Sequence, residues 1–142
     1  MLDLLVRPEW SILEGMTTQA IEIAGHRIWA DGDGILHVKT EEARDVDLGV
    51  AMALVGELVT MAGSVKRALF CDLRRVKSMD RDARNYFAGP ATASWQVASA
   101  LLVDSPLTRA IGNFFMGLNK PLVPTRLFTN EQEAKSWLKT FC

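Results

Sequence analysis

Eight charged side chains stand between Asp72 and Arg84: Asp72, Arg74, Arg75, Lys77, Asp80, Arg81, Asp82 and Arg84. They lie where an apolar run, VKRALFCDL (65–73), hands over to a helical pattern that Asp80 can open. In an open α/β sheet this junction is where binding sites form, and the free N–H groups of a helix N-terminus favour anions. Five bases against three acids suit an acidic group there. The candidates for that contact are Arg74, Arg75, Lys77, Ser78, Asp80, Arg81 and Arg84. The group received would be a carboxylate-rich or phosphorylated protein partner, or a small anionic ligand. The competing account treats the bases as solvated charges, with Asp80 a helix cap and Asp72 paired to one of them. Exposed pairs of that kind contribute only about 0–1 kcal/mol each and need no function.

Other chemistry is sparse. His26 and His37 fall in marginal strands, far from the strand ends where α/β sites form, and read as surface or half-buried strand histidines. A hydrolytic triad needs a histidine within reach of a nucleophile. GNFFMG (112–117) holds two glycines but lies inside a helical pattern and does not follow a strand, so it is no phosphate loop. DGDG (31–34) is hairpin-turn chemistry, without the further ligands a calcium loop requires. Cys71 sits in an apolar strand and packs as a small hydrophobe, Cys142 is terminal, and neither has metal-ligand spacing. The expectation is a protein with no catalytic residue, metal or cofactor. A second candidate surface is Phe115 and Met116, beside the inward stripe of a helix over 106–118, together with Leu118 at the end of that stripe. It reads either as a wide buried face or as a hydrophobic contact, between two copies or around a lipophilic ligand.

The elements that position these residues follow from periodicity. Ile21 to Val38 reads as β structure with Asp31–Gly34 as a tight turn. Asp45 or Asp47 caps a helix to about Ala62, and Gly63 suits its left-handed end. Leu48, Ala51, Met52, Val55, Leu58, Val59 and Ala62 form its apolar face. Val50, Leu54 and Met61 widen that face, so cover on a second side is expected. VKRALFCDL and VASALLV (97–103) read as interior parallel strands. Asp80 caps a helix that Gly89-Pro90 must kink or break, with ATASWQ (91–96) continuing helically. Ser105 and Pro106 start the next helix, with Leu107, Ile111, Phe114 and Leu118 inward. TRLF (125–128) is a last strand, followed by a helix capped at Thr129 or Asn130 that buries Ala134, Trp137, Leu138 and Phe141.

The 142 residues and formal charge of −1 bound the function. The length suits one domain, assigned to 18–142, after an extension over 1–17 of uncertain order; Met16 is an alternative start. Near-neutral charge argues against nucleic acid or an anionic membrane as partner. No apolar run approaches the ~20 residues of a membrane-spanning helix. Arg7 follows the first apolar residues instead of preceding them, the wrong order for a secretory signal, so a cytoplasmic protein is expected.

ALFCDLRRVKSMDRDA (68–83) resembles the central motif of STAS domains, the family of bacterial anti-sigma-factor antagonists and of sulfate-transporter tails. Asp72, Leu73, Val76, Met79 and Asp80 fall on that motif. ALLVDSPLTRAIGNFFMGL (100–118) and TRLFTNEQEAKSWL (125–138) are similar to the family's later strand–helix units. The resemblance extends to an uncharacterised bacterial branch of STAS/SEC14 type. It implies an α/β, SpoIIAA-like mixed sheet with N-terminal antiparallel hairpin strands, parallel central strands and about four helices. It also implies a regulatory protein-interaction module, or a carrier of a small lipophilic or anionic ligand. Where the family carries its phosphorylatable serine stands Arg81, and a guanidinium accepts no phosphoryl group. Ser78 is near, but precedes the cap.

Overall fold

The computed structural model describes residues 19–113 and 122–142, and the helical backbone of 114–118. The extension over 1–17 lies outside the described residues, as do the side chains of Phe115, Met116 and Leu118. A six-stranded sheet forms the centre. Its strands are β1 (Ile21–Ile23), β2 (His26–Ala30), β3 (Leu36–Thr40), β5 (Arg67–Asp72), β7 (Gln96–Leu102) and β8 (Thr125–Phe128), in the spatial order β1-β2-β3-β5-β7-β8. The first two pairings are antiparallel and the last three parallel, so the expected hairpin lies at one margin and the two apolar runs lie inside. A second, two-stranded parallel sheet joins β4 (Arg44–Val46) to β6 (Val76–Met79).

Helices cover both faces. On one, α5 (Glu131–Lys139) sets Ala134 and Leu138 against Phe70, Ala98, Ala100 and Phe128. On the other lie α1 (Leu48–Ala62), α2 (Arg81–Ala88), the single turn α3 (Pro90–Ala93) and α4 (Pro106–Leu118). Asp47 caps α1 by accepting from Val50 N at 2.9 Å, and Gly63 closes it at φ 70°. Its buried face is Ala51, Leu54, Val55, Leu58 and Ala62. Leu48, Met52 and Val59, expected inward, are exposed instead. The apolar circumference of α1 is wider than the sheet and α2 cover, and the stripe that wins includes the small Ala51 and Ala62, which permit close approach.

Gly89-Pro90 breaks the α2–α3 helix as expected, with Gly89 extended at ψ −178°. ATASWQ does not stay helical to its end: α3 stops at Ala93, and Arg67 N donates to Trp95 O at 2.8 Å, starting the β5–β7 ladder. The break makes five helices among the described residues where about four were expected. At α4, Ser105 Oγ accepts from Thr108 N at 3.1 Å, while Thr108 Oγ1 accepts from Ser105 N at 3.1 Å. This reciprocal cap buries Thr108 and turns Leu107 outward to 52% exposure, against the expected stripe. A Cβ on Gly112 would stand 2.5 Å from Leu127 Cδ2, so glycine lets α4 approach β8.

The hairpin turn is built by one carboxylate. Asp31 Oδ1 accepts from the backbone of Asp33 at 2.8 Å and of Ile35 at 3.1 Å, and Gly34 takes φ 82°. Its Oδ2 lies 2.7 Å from Nε2 of His37, whose ring is stacked between Trp29 (4.7 Å) and Phe70 (5.1 Å). Both histidines are therefore buried, His26 at 2% and His37 at 8% exposure, not half-exposed as expected. Polar partners close in sequence make that burial possible, Asp31 for His37 and the Ala24 carbonyl, 2.8 Å from Nδ1, for His26.

Burial of His26 lowers its pKa, outweighing the Ala24 hydrogen bond. Burial pushes Asp31 up, but the bonds from His37 and the turn backbone outweigh it and leave the carboxyl low. Two acid steps follow. A histidine more acidic when folded loses stability as pH falls below its unfolded value, about 6.5; a depressed carboxyl loses its contribution below about 4. Urea unfolding from pH 7 to pH 3 should show both. His26→Gln removes the upper step and Asp31→Asn the lower.

Candidate functional site

The charged junction is organised by the end of β5. Asp72, 7% exposed, accepts from Arg74 N at 3.0 Å and Arg74 Nε at 2.9 Å on one oxygen, and from Nη2 at 2.8 Å on the other. This two-pronged pairing is the strongest geometry available to a guanidinium and carboxylate. Leu73 N then reaches Leu102 O at 2.9 Å, Val76 N reaches Leu73 O at 2.9 Å, and the chain enters β6. There the Ser78 hydroxyl donates to Asp45 Oδ1 across the small sheet. Asp80 N donates to Val46 O at 3.1 Å, while its side chain accepts from Ala83 N at 2.9 Å and caps α2. Arg84 reaches back across that first turn to donate to the Met79 carbonyl.

The seven candidates thus separate. Arg74, Asp80 and Arg84 are engaged in holding the junction, and Ser78 is bonded to Asp45. Arg75, Lys77 and Arg81 are exposed and have no ion-pair partner among the described residues. All three are borne by a backbone fixed on both sides, by the Asp72–Arg74 pair and by the Asp80 cap. The strand β4, with Asp45, was missed by sequence reasoning. Its three residues show one buried position, Val46, and no periodic signal.

Beneath the junction, between the sheet and helices α1 to α4, lies a cavity of about 70 Å³. Val38, Leu58, Leu69 and Leu101 contribute to its apolar wall, with Trp95 and Gln96 at the start of β7. Cys71 also lines it, and burial first, then the nearby Asp72 charge, push its thiol up to about 12. It is no nucleophile at neutral pH. Among the described residues no group of three or more His, Cys, Asp or Glu side chains could hold a metal ion. No described helix is long and apolar enough to cross a membrane.

The stability of variants should rank by these roles. Arg74→Met leaves a buried carboxylate uncompensated, a change that costs about 3–5 kcal/mol when both partners are fully buried and less here, where Arg74 is 37% exposed. Asp80→Ala loses about 1 kcal/mol of cap. Arg75→Met stays within about 0.5 kcal/mol. Urea midpoints measured at one pH check the order, and an Arg75 variant as unstable as Arg74→Met contradicts it.

Two solved structures share this architecture. One is an uncharacterised protein of the DUF3478 family with a SpoIIAA-like fold from Shewanella loihica PV-4, at TM-score 0.51 and 10% identity over 87% of this chain and 94% of that one. The other is an anti-sigma factor antagonist from Mycobacterium paratuberculosis, at TM-score 0.51 and 20% identity over 88% and 96%. The fold is therefore SpoIIAA-like, as the sequence resemblance implied. No curated protein matches. A family model described as a domain of unknown function, DUF7793, matches residues 28–142.

Proposed function

The chain belongs to that DUF7793 family, and we propose that it acts as a non-enzymatic, regulatory protein-interaction module of the cytoplasm. Its contact surface is the trio Arg75, Lys77 and Arg81, and its partner presents an acidic patch. The observation that carries this reading is the division of labour at the junction. Neighbouring charges are consumed by structure, whereas these three are exposed on a rigid ribbon and helix mouth. A rigid display lowers the ordering cost of binding, and like charges grouped together steer an acidic partner. The related fold of the mycobacterial anti-sigma factor antagonist supports a protein partner. Arg81 stands where a phosphoacceptor serine would be, so recognition is constitutive and set by charge, not by phosphorylation of this chain. Phe115, Met116 and Leu118 remain a proposed second contact, with a further copy of the chain as its partner. A second reading, a small-molecule carrier, is favoured by the cavity and concerns a different part of the molecule.

Charge reversal tests the surface. Wild type and the triple variant Arg75→Glu, Lys77→Glu, Arg81→Glu are used to capture proteins from native lysate, at low salt and at about 0.5 M, where screening shortens the electrostatic range to a few ångströms. The expected result is an acidic protein retained by wild type, released by salt and absent from the triple variant, while both chains unfold at the same temperature. An identical retained set for both chains overturns the proposal.

A further inference from the structure

Two residues on the wall of the cavity each carry a buried polar atom with no hydrogen-bond partner among the described residues: Trp95 at Nε1 and Gln96 at Oε1. The two residues are 5% and 4% exposed, so bulk water does not serve these atoms. The chemistry of each is unambiguous. An indole nitrogen can only donate. The Gln96 amide is oriented by its own nitrogen, which donates to the Thr92 carbonyl at 3.2 Å, because a flipped amide would set two acceptors face to face. A buried donor and a buried acceptor, adjacent in sequence, therefore belong to residues that line the same apolar space.

We propose that this cavity is a binding site for a small, neutral, amphiphilic molecule, whose head group accepts a hydrogen bond from Trp95 Nε1–H and donates one to Gln96 Oε1. A hydroxyl or a primary amide meets both demands. A carboxylate meets only the first, and would enter a space with no Lys, Arg, Asp or Glu among the described residues of its wall. His26 supplies no compensating charge, since burial keeps it neutral at pH 7. Stripping an anion of water without a partner is far costlier than leaving one polar atom unpaired. The apolar part of the molecule would lie among Val38, Leu58, Leu69 and Leu101. At about 70 Å³ the space is roughly half of an engineered cavity of about 150 Å³ that takes benzene, so the occupant has only a few heavy atoms. Leu122, 65% exposed, also lines the space and marks the side open to solvent. This site is independent of the charged surface, and the charge-reversal triple variant should keep it intact.

The probes are 1-butanol, butyramide and butyrate, titrated at pH 7 into 15N-labelled protein, with the Trp95 indole N–H resonance assigned by its loss in Trp95→Phe. Butanol and butyramide are expected to move that resonance saturably, and butyrate to leave it in place. Trp95→Phe deletes the donor while keeping an aromatic ring. By calorimetry it should bind butanol about threefold to tenfold more weakly, the value of one hydrogen bond, with unliganded stability unchanged or raised. The competing occupant is an ordered water bridging the two atoms. In that case no probe gives a saturable shift, and Trp95→Phe lowers the unfolding midpoint because a satisfied bond is lost. Either of those results overturns the proposal, as does butyrate binding as well as butyramide.

Discussion

The buried carboxylate of Asp72 is the constraint on which the junction depends. A central strand flanked on both sides and covered on both faces can end in a charge only if that charge is matched where it stands. Arg74, two residues on, supplies the match with both its guanidinium and its backbone N–H, so the pair also fixes the direction in which the chain leaves the sheet. From that exit Leu73 and Val76 turn into the core while Arg75 and Lys77 are left outside. The small β4–β6 sheet then carries the chain to Asp80, whose backbone and side chain join the strand to the first turn of α2. Each step is short-range, yet together they hold three cations at fixed positions.

The core beneath this junction divides into two unlike halves. On the α5 face, Phe70 and the small Ala98 and Ala100 pack directly beneath Ala134 and Leu138. On the opposite face the cover is assembled from four helical segments of different length, and the break at Gly89-Pro90 prevents α2 and α3 from forming one continuous lid. Packing there leaves a void, and two residues on its wall carry polar atoms unpaired among the described residues. A natural core tolerates few such atoms, because each costs about 1–3 kcal/mol. Two of them on adjacent residues that line one cavity are therefore the less economical arrangement unless something occupies it.

Features set by a few adjacent residues were legible in the sequence. Asp80, Ser105 and Asn130 cap the helices they were expected to cap, and Gly63 ends α1. Gly89-Pro90 divides a helix, and the two apolar runs became the interior strands. Features that need a distant partner were not legible. Strand β4 exists only because β6 returns beside it, and neither has enough apolar residues to announce itself. His37 was placed too near the surface because its burial depends on β5 bringing Phe70 against its ring. The rotation of α4 was missed because Thr108 caps its own helix from inside the fold, a role periodicity assigns to no threonine. In the charged run, composition located the site but could not separate bases that hold the junction from those that face solvent. That separation is a matter of which carboxylate or carbonyl lies within 3 Å.

Arg81 shows what the separation implies. A cation in the first turn of a helix opposes the backbone dipole by about 0.3–1 kcal/mol, and here it is the very first helical residue. Asp80 and Asp82 on either side offset that opposition, so α2 forms without an external anion. Asp80 turns its carboxylate inward onto the Ala83 N–H, whereas Arg81 itself stays exposed. The helix start is thus stabilised from within while its outward field remains positive. A serine at this position would leave a neutral mouth to be made negative by phosphorylation. An arginine reverses that sign permanently and at small local cost. Any partner that reads this mouth by charge must then be acidic there, and cannot be dismissed by phosphorylating the residue at 81.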